Sequence, residues 1–202
     1  MRTRIAQEVK RDNIDQLTCN AINDAIYYYQ QMRFFFQEET DSNTTTVQGT
    51  NLYTPPNDLI EIDSLTITYT PSGLIVPLKK RELDWILNRD QTVPPEQGQP
   101  TDYAWYGNQI RLYITPDQGP YTLNYYYKGI IPPPINDDDA GYWMTTGEQM
   151  IREYAKGVLF GSVFRNPEQA MFEFNLSKQA YLQLMKQNVA LQSTGETKPT
   201  KF

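Results

Sequence analysis

Apolar residues recur at helical spacing over residues 12–33. Ile14, Leu17, Ala21, Ala25, Tyr28 and Met32 fall three or four residues apart, and Ile22, Ile26 and Tyr29 widen the stripe. Asn13, with Gln16 three residues on, predicts a capping box at the start. Residues 3–10 predict a short preceding helix. From 44 to 130 the period becomes two. Ile60 and Ile62, then Leu65, Ile67 and Tyr69, alternate with polar residues, and the change of phase between the two sets predicts a β-bulge. Pro71-Ser72-Gly73 predicts a turn and Leu74–Leu78 the returning strand. Residues 81–88 predict a short helix packed through Leu83, Ile86 and Leu87. A hairpin follows over 103–114 around Gly107-Asn108, and Tyr121, Leu123, Tyr125 and Tyr127 mark a last strand. Together these predict an antiparallel module of about five or six strands.

Residues 131–141 combine three prolines with three aspartates and read as a hinge-like linker. Thr145 and Glu148 predict a second capping box, ahead of a helix face carrying Ile151, Tyr154, Ala155, Val158, Leu159 and Ser162. Asn166-Pro167 breaks this helix and starts another, with Asn166 as cap and Pro167 in the first turn. Ala170, Phe174, Tyr181, Leu184 and Leu191 carry it to about residue 190. No such helix buries its stripe alone. The fold class is therefore α+β: an N-terminal helix and a C-terminal helical pair form a bundle, an antiparallel β module is inserted between them, and the chain ends in an extended tail. The segments are 1–40 (N-terminal helical part), 41–141 (β module with short helix and linker), 142–191 (C-terminal helices packing on 12–33) and 192–202 (tail). Leu17, Ala21, Ile151 and Val158 are expected to be buried in the bundle.

Composition narrows the chemistry. The 202 residues carry a net charge of −6 and include 15 Tyr but no His. The acidic balance argues against a general nucleic-acid binder, which needs clustered Lys and Arg. Absence of His removes the commonest general base and metal ligand. The single Cys19 makes neither an internal disulfide nor a multi-cysteine zinc site. No glycine-rich phosphate loop and no apolar run of about 18 residues occurs. No metal or cofactor is expected, and a structural assembly subunit fits better than an enzyme. Asp137-Asp138-Asp139 lacks the glycine and distant Glu of an EF-hand loop and reads as a solvated loop. Glu61 and Asp63 could pose as a carboxylate pair, but no apolar pocket is evident to raise one of them.

Arg33-Phe34-Phe35-Phe36 is the densest aromatic cluster. Three consecutive aromatics cannot all face one core. Two can turn inward with the third against the β module, or the cluster can contact a neighbouring subunit. Tyr126, on the opposite sheet face from Tyr125 and Tyr127, could likewise serve an interface. The tail, Gln192–Phe202, has no apolar periodicity, but it carries Lys198 and Lys201 and ends in Phe202. Two other functions compete with assembly: a carbohydrate-binding β module on a helical stalk, which would need a solvent-facing Trp85 or Trp105, and a peptidoglycan hydrolase.

The sequence resembles the head-to-tail adaptor, or connector, proteins of short-tailed bacteriophages. The resemblance rests on Asn20-Ala21-Ile22-Asn23-Asp24-Ala25-Ile26 leading to Arg33-Phe34-Phe35-Phe36-Gln37-Glu38-Glu39. It continues through Gly49 to Tyr53 and Pro55-Pro56, and Gly98-Gln99-Pro100-Thr101-Asp102-Tyr103. Further matches are Ile110-Arg111-Leu112 through Pro116-Asp117 to Tyr121-Thr122-Leu123, then Trp143 and Thr194-Gly195. The segment after Pro116 and the acidic run at Asp137–Asp139 depart from the family pattern, both in loops. The resemblance implies a twelve-subunit ring in the virion neck, assembled in the cytoplasm of the bacterial host. It implies a portal protein above, a tail nozzle protein below, and an axial channel through which DNA passes without specific binding. It also implies that the tail grips the portal, through Thr194, Gly195, Lys198, Pro199, Lys201 and Phe202.

Overall fold

The computed structural model describes residues 1–39, 43–91, 95–134 and 139–192. Along the chain lie α1 (Arg2–Val9) and α2 (Asp15–Gln30), then strands β1 (Glu38–Glu39), β2 (Asn43–Thr45), β3 (Leu52–Tyr53), β4 (Leu59–Tyr69), β5 (Leu74–Pro77) and β6 (Lys79–Lys80). Helix α3 (Leu83–Arg89) precedes β7 (Gln97–Gly98), β8 (Asp102–Tyr106), β9 (Gln109–Tyr113), β10 (Thr115–Pro116) and β11 (Thr122–Gly129). Helices α4 (Glu148–Val158) and α5 (Pro167–Gln192) follow, separated by a π-helical turn at Leu159–Val163. The chain is α+β, and it divides into two compact units: Met1–Phe36 with Ile131–Phe202, and Gln37–Ile130.

The helical unit packs α1, α2, α4 and α5 around Ile5, Ala21, Ala25, Ile26, Ile151, Ala155 and Leu159. Its helix starts differ from the capping signals in the sequence. Lys10 and Asn13 both adopt left-handed backbone conformations, with φ of 55° and 58°. Lys10 thereby closes α1, and α2 begins only after Ile14, so Asn13 makes no capping hydrogen bond. Gly147, not Thr145, precedes α4; the Thr145 hydroxyl instead donates to the Gly141 carbonyl. At α5 the sequence signal holds, since Gln169 N–H donates to Asn166 Oδ1 at 3.1 Å and Pro167 opens the helix. One burial expectation fails, and a second residue of the predicted stripe also turns outward. Leu17 is 42% exposed and Tyr28 49% exposed, because Ile22, Ile26 and Tyr29 take the inward face while Thr18 fills the place one residue on from Leu17. Val158 is half-buried at the edge of the core. Residues 131–134 belong to this unit, where Trp143 Nε1 donates to the Ile131 carbonyl at 3.1 Å.

The β unit holds a sheet in the order β1-β11-β4-β5, with β2 also on β11, and a second sheet in the order β3-β9-β8-β6. The bulge lies where the sequence predicted it. Tyr126 pairs with Ser64 and Tyr127 with Ile62, leaving Asp63 as the extra residue. At the hairpin tip between β8 and β9, Gly107 takes a positive φ of 61°, which a side chain would disfavour. Two short pairings are parallel, β6 with β8 and β7 with β10. The first arises because the segment that begins as β5 leaves β4 after Leu78 and continues beside β8. Tyrosines make up half of the buried core of this unit. Tyr69 donates to the Pro100 carbonyl at 2.6 Å, Tyr53 to the Thr50 carbonyl at 2.6 Å, and Tyr121 to Asp117 Oδ1 at 2.7 Å. Buried tyrosines thus keep a polar partner for each of these hydroxyls. Of the apolar residues expected to anchor α3, Ile86 is fully buried, whereas Leu87 is 42% exposed.

Candidate interaction surfaces

The aromatic run at the end of α2 is pulled apart by its backbone. Phe34 and Phe36 are buried, Phe35 is half-buried against the same helical core, and Arg33 is half-exposed. The Phe34 and Phe36 rings stack at 5.1 Å, and both meet the buried Trp143 edge to face, at 5.7 and 5.1 Å. The Arg33 carbonyl accepts from Asn188 Nδ2 of α5 at 3.2 Å. This run therefore builds the helical core around Trp143 and leaves Phe35 and Arg33 partly open to solvent.

Between α2, α4 and α5 lies a groove of about 510 Å³, lined by Tyr28, Tyr29, Met32, Tyr154, Phe174 and Lys178 among others. Tyr28 stacks on Tyr154 at 4.7 Å, and Phe174 meets Tyr154 edge-on. Gly157 admits Phe174, since a Cβ there would stand 2.6 Å from its ring. Beside Tyr29, the fully buried Ser177 Oγ donates to the Met150 carbonyl at 2.7 Å. Its proton is thereby committed, so Tyr29, 2.7 Å away, is the donor to Ser177. Burial pushes the Tyr29 phenol up to about 12.

A second cluster was not anticipated from the sequence. Arg152, Glu153 and Lys156 of α4 and Glu173 of α5 are all buried. Lys156 Nζ lies 2.5 Å from Glu153, 3.1 Å from Glu173 and 2.9 Å from Glu8 of α1. Arg152 pairs with Glu148 at 2.7 Å and Glu153 at 2.8 Å. Burial alone would raise the Glu153 carboxyl, but hydrogen bonds from Lys156 and Arg152 outweigh it and hold the group below its ordinary value. Burial likewise opposes the charges on Arg152 and Lys156, yet their carboxylate partners raise both. An alternating charge pattern on one helix ordinarily signals solvent. Here the partners come from α1 and α5, which no local pattern reveals.

In the β unit, Tyr126 is 42% exposed and stands on the face opposite the buried Tyr125 and Tyr127. Trp85 is flanked by the guanidinium groups of Arg81 and Arg89, 4.6 and 3.9 Å from its ring centre, so its faces are not open as a sugar platform. Trp105 is exposed. The proposed tail residues Thr194, Gly195, Lys198, Pro199, Lys201 and Phe202 lie outside the described residues, as do Asp137 and Asp138. Among the described residues no group of three His, Cys, Asp or Glu could hold a metal ion, and no helix is long and apolar enough to cross a membrane.

The family described as SU10 adaptor protein matches residues 1–198. The chain belongs to that family. It is a phage adaptor, a structural protein that associates with other components of the virion. No curated protein matches the sequence.

Proposed function

We propose that this adaptor forms a ring that joins the portal vertex of the capsid to the tail nozzle in the virion neck of a short-tailed phage, and lines part of the DNA exit channel. Twelve copies, to match the portal, complete the ring. The observation that carries the reading is the adaptor-family match over 1–198, nearly the whole of a chain built from two separately packed units. A joining protein needs distinct surfaces for distinct neighbours, and a closed ring needs two different complementary patches on each subunit. The aromatic groove and half-open Phe35 offer contacts on the helical unit, and Tyr126 offers one on the β unit.

The C-terminal segment is proposed as the portal grip. An acidic chain that ends with Lys198, Lys201 and Phe202 has there an aromatic anchor and two cations for pairing. Deleting residues after Leu191 is expected to leave the circular dichroism spectrum and melting temperature nearly unchanged, to abolish co-purification with the portal, and to give particles that lose their DNA. Phe202→Ala should weaken attachment more than Thr197→Ala. Full assembly by the truncated protein would overturn the portal grip.

A further inference from the structure

The main sheet of the β unit ends in two edges that match each other. On one side β5 is the last strand; on the other, β1 and β2 lie against β11. The ladder fixes which backbone groups each edge offers. Leu78 N–H donates to the Leu65 carbonyl, so in β5 the alternate residues Leu74 and Val76 also turn their backbone groups toward β4. Ile75 and Pro77 turn theirs outward. On the opposite edge Thr46 N–H donates to the Tyr121 carbonyl, so Thr44 faces β11 while Asn43 and Thr45 face outward.

The outward residues stand at the same heights. Through Thr122 and Thr68, Thr45 is level with Ile75; through Asn124 and Thr66, Asn43 is level with Pro77. Direction matches as well. β5 runs against β4, whereas β2 runs with it, so β5 of one copy set beside β2 of another in the same orientation makes an antiparallel pair. After Leu78 the chain leaves this sheet for β8, so the free part of the edge is Leu74–Pro77, and β2 on the opposite edge is Asn43–Thr45. Ile75 is 61% exposed, a large apolar side chain beside Thr66, Thr68, Thr122 and Asn124 on its face. An open apolar edge is a pairing template unless something covers it.

We infer that neighbouring copies of this chain join edge to edge, β5 of one against β2 of the next, so that their main sheets run on from subunit to subunit. The inference rests on the ring proposed above and names its contact. Ile75 and Thr45 of the neighbouring copy exchange both backbone hydrogen bonds and pair as β-branched side chains. Asn43 of that copy donates to the Pro77 carbonyl. Pro77 has no N–H to return, so the ladder ends there. Because the two edges differ, the contact is head-to-tail and propagates, as a ring requires.

The test uses a Cys19→Ser background, mixed with the portal ring of the same phage under oxidising conditions. The double variant Thr45→Cys/Ile75→Cys is expected to give a ladder of covalent oligomers on a non-reducing gel, and each single variant none. Dimers from Ile75→Cys alone would show like edges pairing and overturn the inference, as would a double variant that stays monomeric while electron microscopy shows rings. A second variant, Ile75→Pro, removes an N–H that points away from β4, so folding and melting temperature should hold while assembly weakens about tenfold. Normal rings from that variant would also overturn the inference while leaving the adaptor reading intact. If the unaltered protein forms no ring on the portal, the ring reading fails and this contact fails with it.

Discussion

Tyr29 and Ser177, on α2 and α5, meet hydroxyl to hydroxyl at 2.7 Å, and Ser177 in turn donates to the Met150 carbonyl of α4. One chain of two hydrogen bonds therefore ties three helices. Its members are buried, so a missing donor or acceptor is not replaced by water. Tyr29→Phe removes a donor and leaves Ser177 still bonded to Met150, a loss of about 1 kcal/mol. Ser177→Ala strands the buried phenol and removes the second bond to the Met150 carbonyl, which keeps its helical partner, so it should cost more, about 1–3 kcal/mol. Urea unfolding of the two variants should rank them in that order.

The buried charge cluster predicts how stability follows pH. The Glu8 and Glu153 carboxyls lie below their ordinary values in the folded protein, so their contribution is complete above about pH 4.5 and is lost as the pH falls and they protonate. Lys156 and the Tyr29 phenol lie above theirs, so their contribution is lost as the pH rises past about 10. The melting temperature should form a plateau between these limits.

Lys156→Met should reverse the acid limb. Glu173 then loses the cation 3.1 Å away, and Glu153 keeps only Arg152. The substitution should cost about 3–5 kcal/mol near neutrality. Protonating the stranded carboxylates relieves it, so the variant should gain stability on mild acidification where the unaltered protein does not. Melting curves at a series of pH values give both results.

The helix faces make a sharper contrast than the sequence stripe suggested. Leu17→Asp, at a 42% exposed position, should change stability by no more than about 0.5 kcal/mol. Ala25→Asp places a charge at a site with no exposure and should prevent folding of the helical unit. Circular dichroism distinguishes the two directly.

A conduit for DNA must not hold it. With a net charge of −6, the protein should release few counterions on meeting duplex DNA and show no gel retardation at about physiological ionic strength. Retardation there would contradict a passive channel.

Much of the β unit was legible because its signals are local. The phase change between Ile62 and Leu65 announced the bulge at Asp63, and Gly107-Asn108 announced its hairpin. Asn166-Pro167 marked a helix start for the same reason. The errors came where distant chain decides the environment. Leu17 and Tyr28 fit a helical stripe as well as Ile22 and Ile26 do, and only the positions of α4 and α5 determine which face is covered. Glu153 and Lys156 look like an exposed pair until Glu8 and Glu173 arrive from other helices. The matching heights of Ile75 and Thr45 are invisible in the sequence, because they depend on a register carried through two intervening strands.

Trp143 touches both places where the chain passes between its two units. Its ring packs on Phe36, the last residue of the first helical segment, and its indole N–H holds the carbonyl of Ile131, the first residue of the second. A long insertion normally costs entropy when its ends are drawn together. Here contacts within the helical unit offset part of that cost, through one side chain that acts as a buckle. With Phe36 and Ile131 both fastened to Trp143, the inserted segment is a loop whose two ends are held by one side chain, so loosening that side chain frees both ends at once.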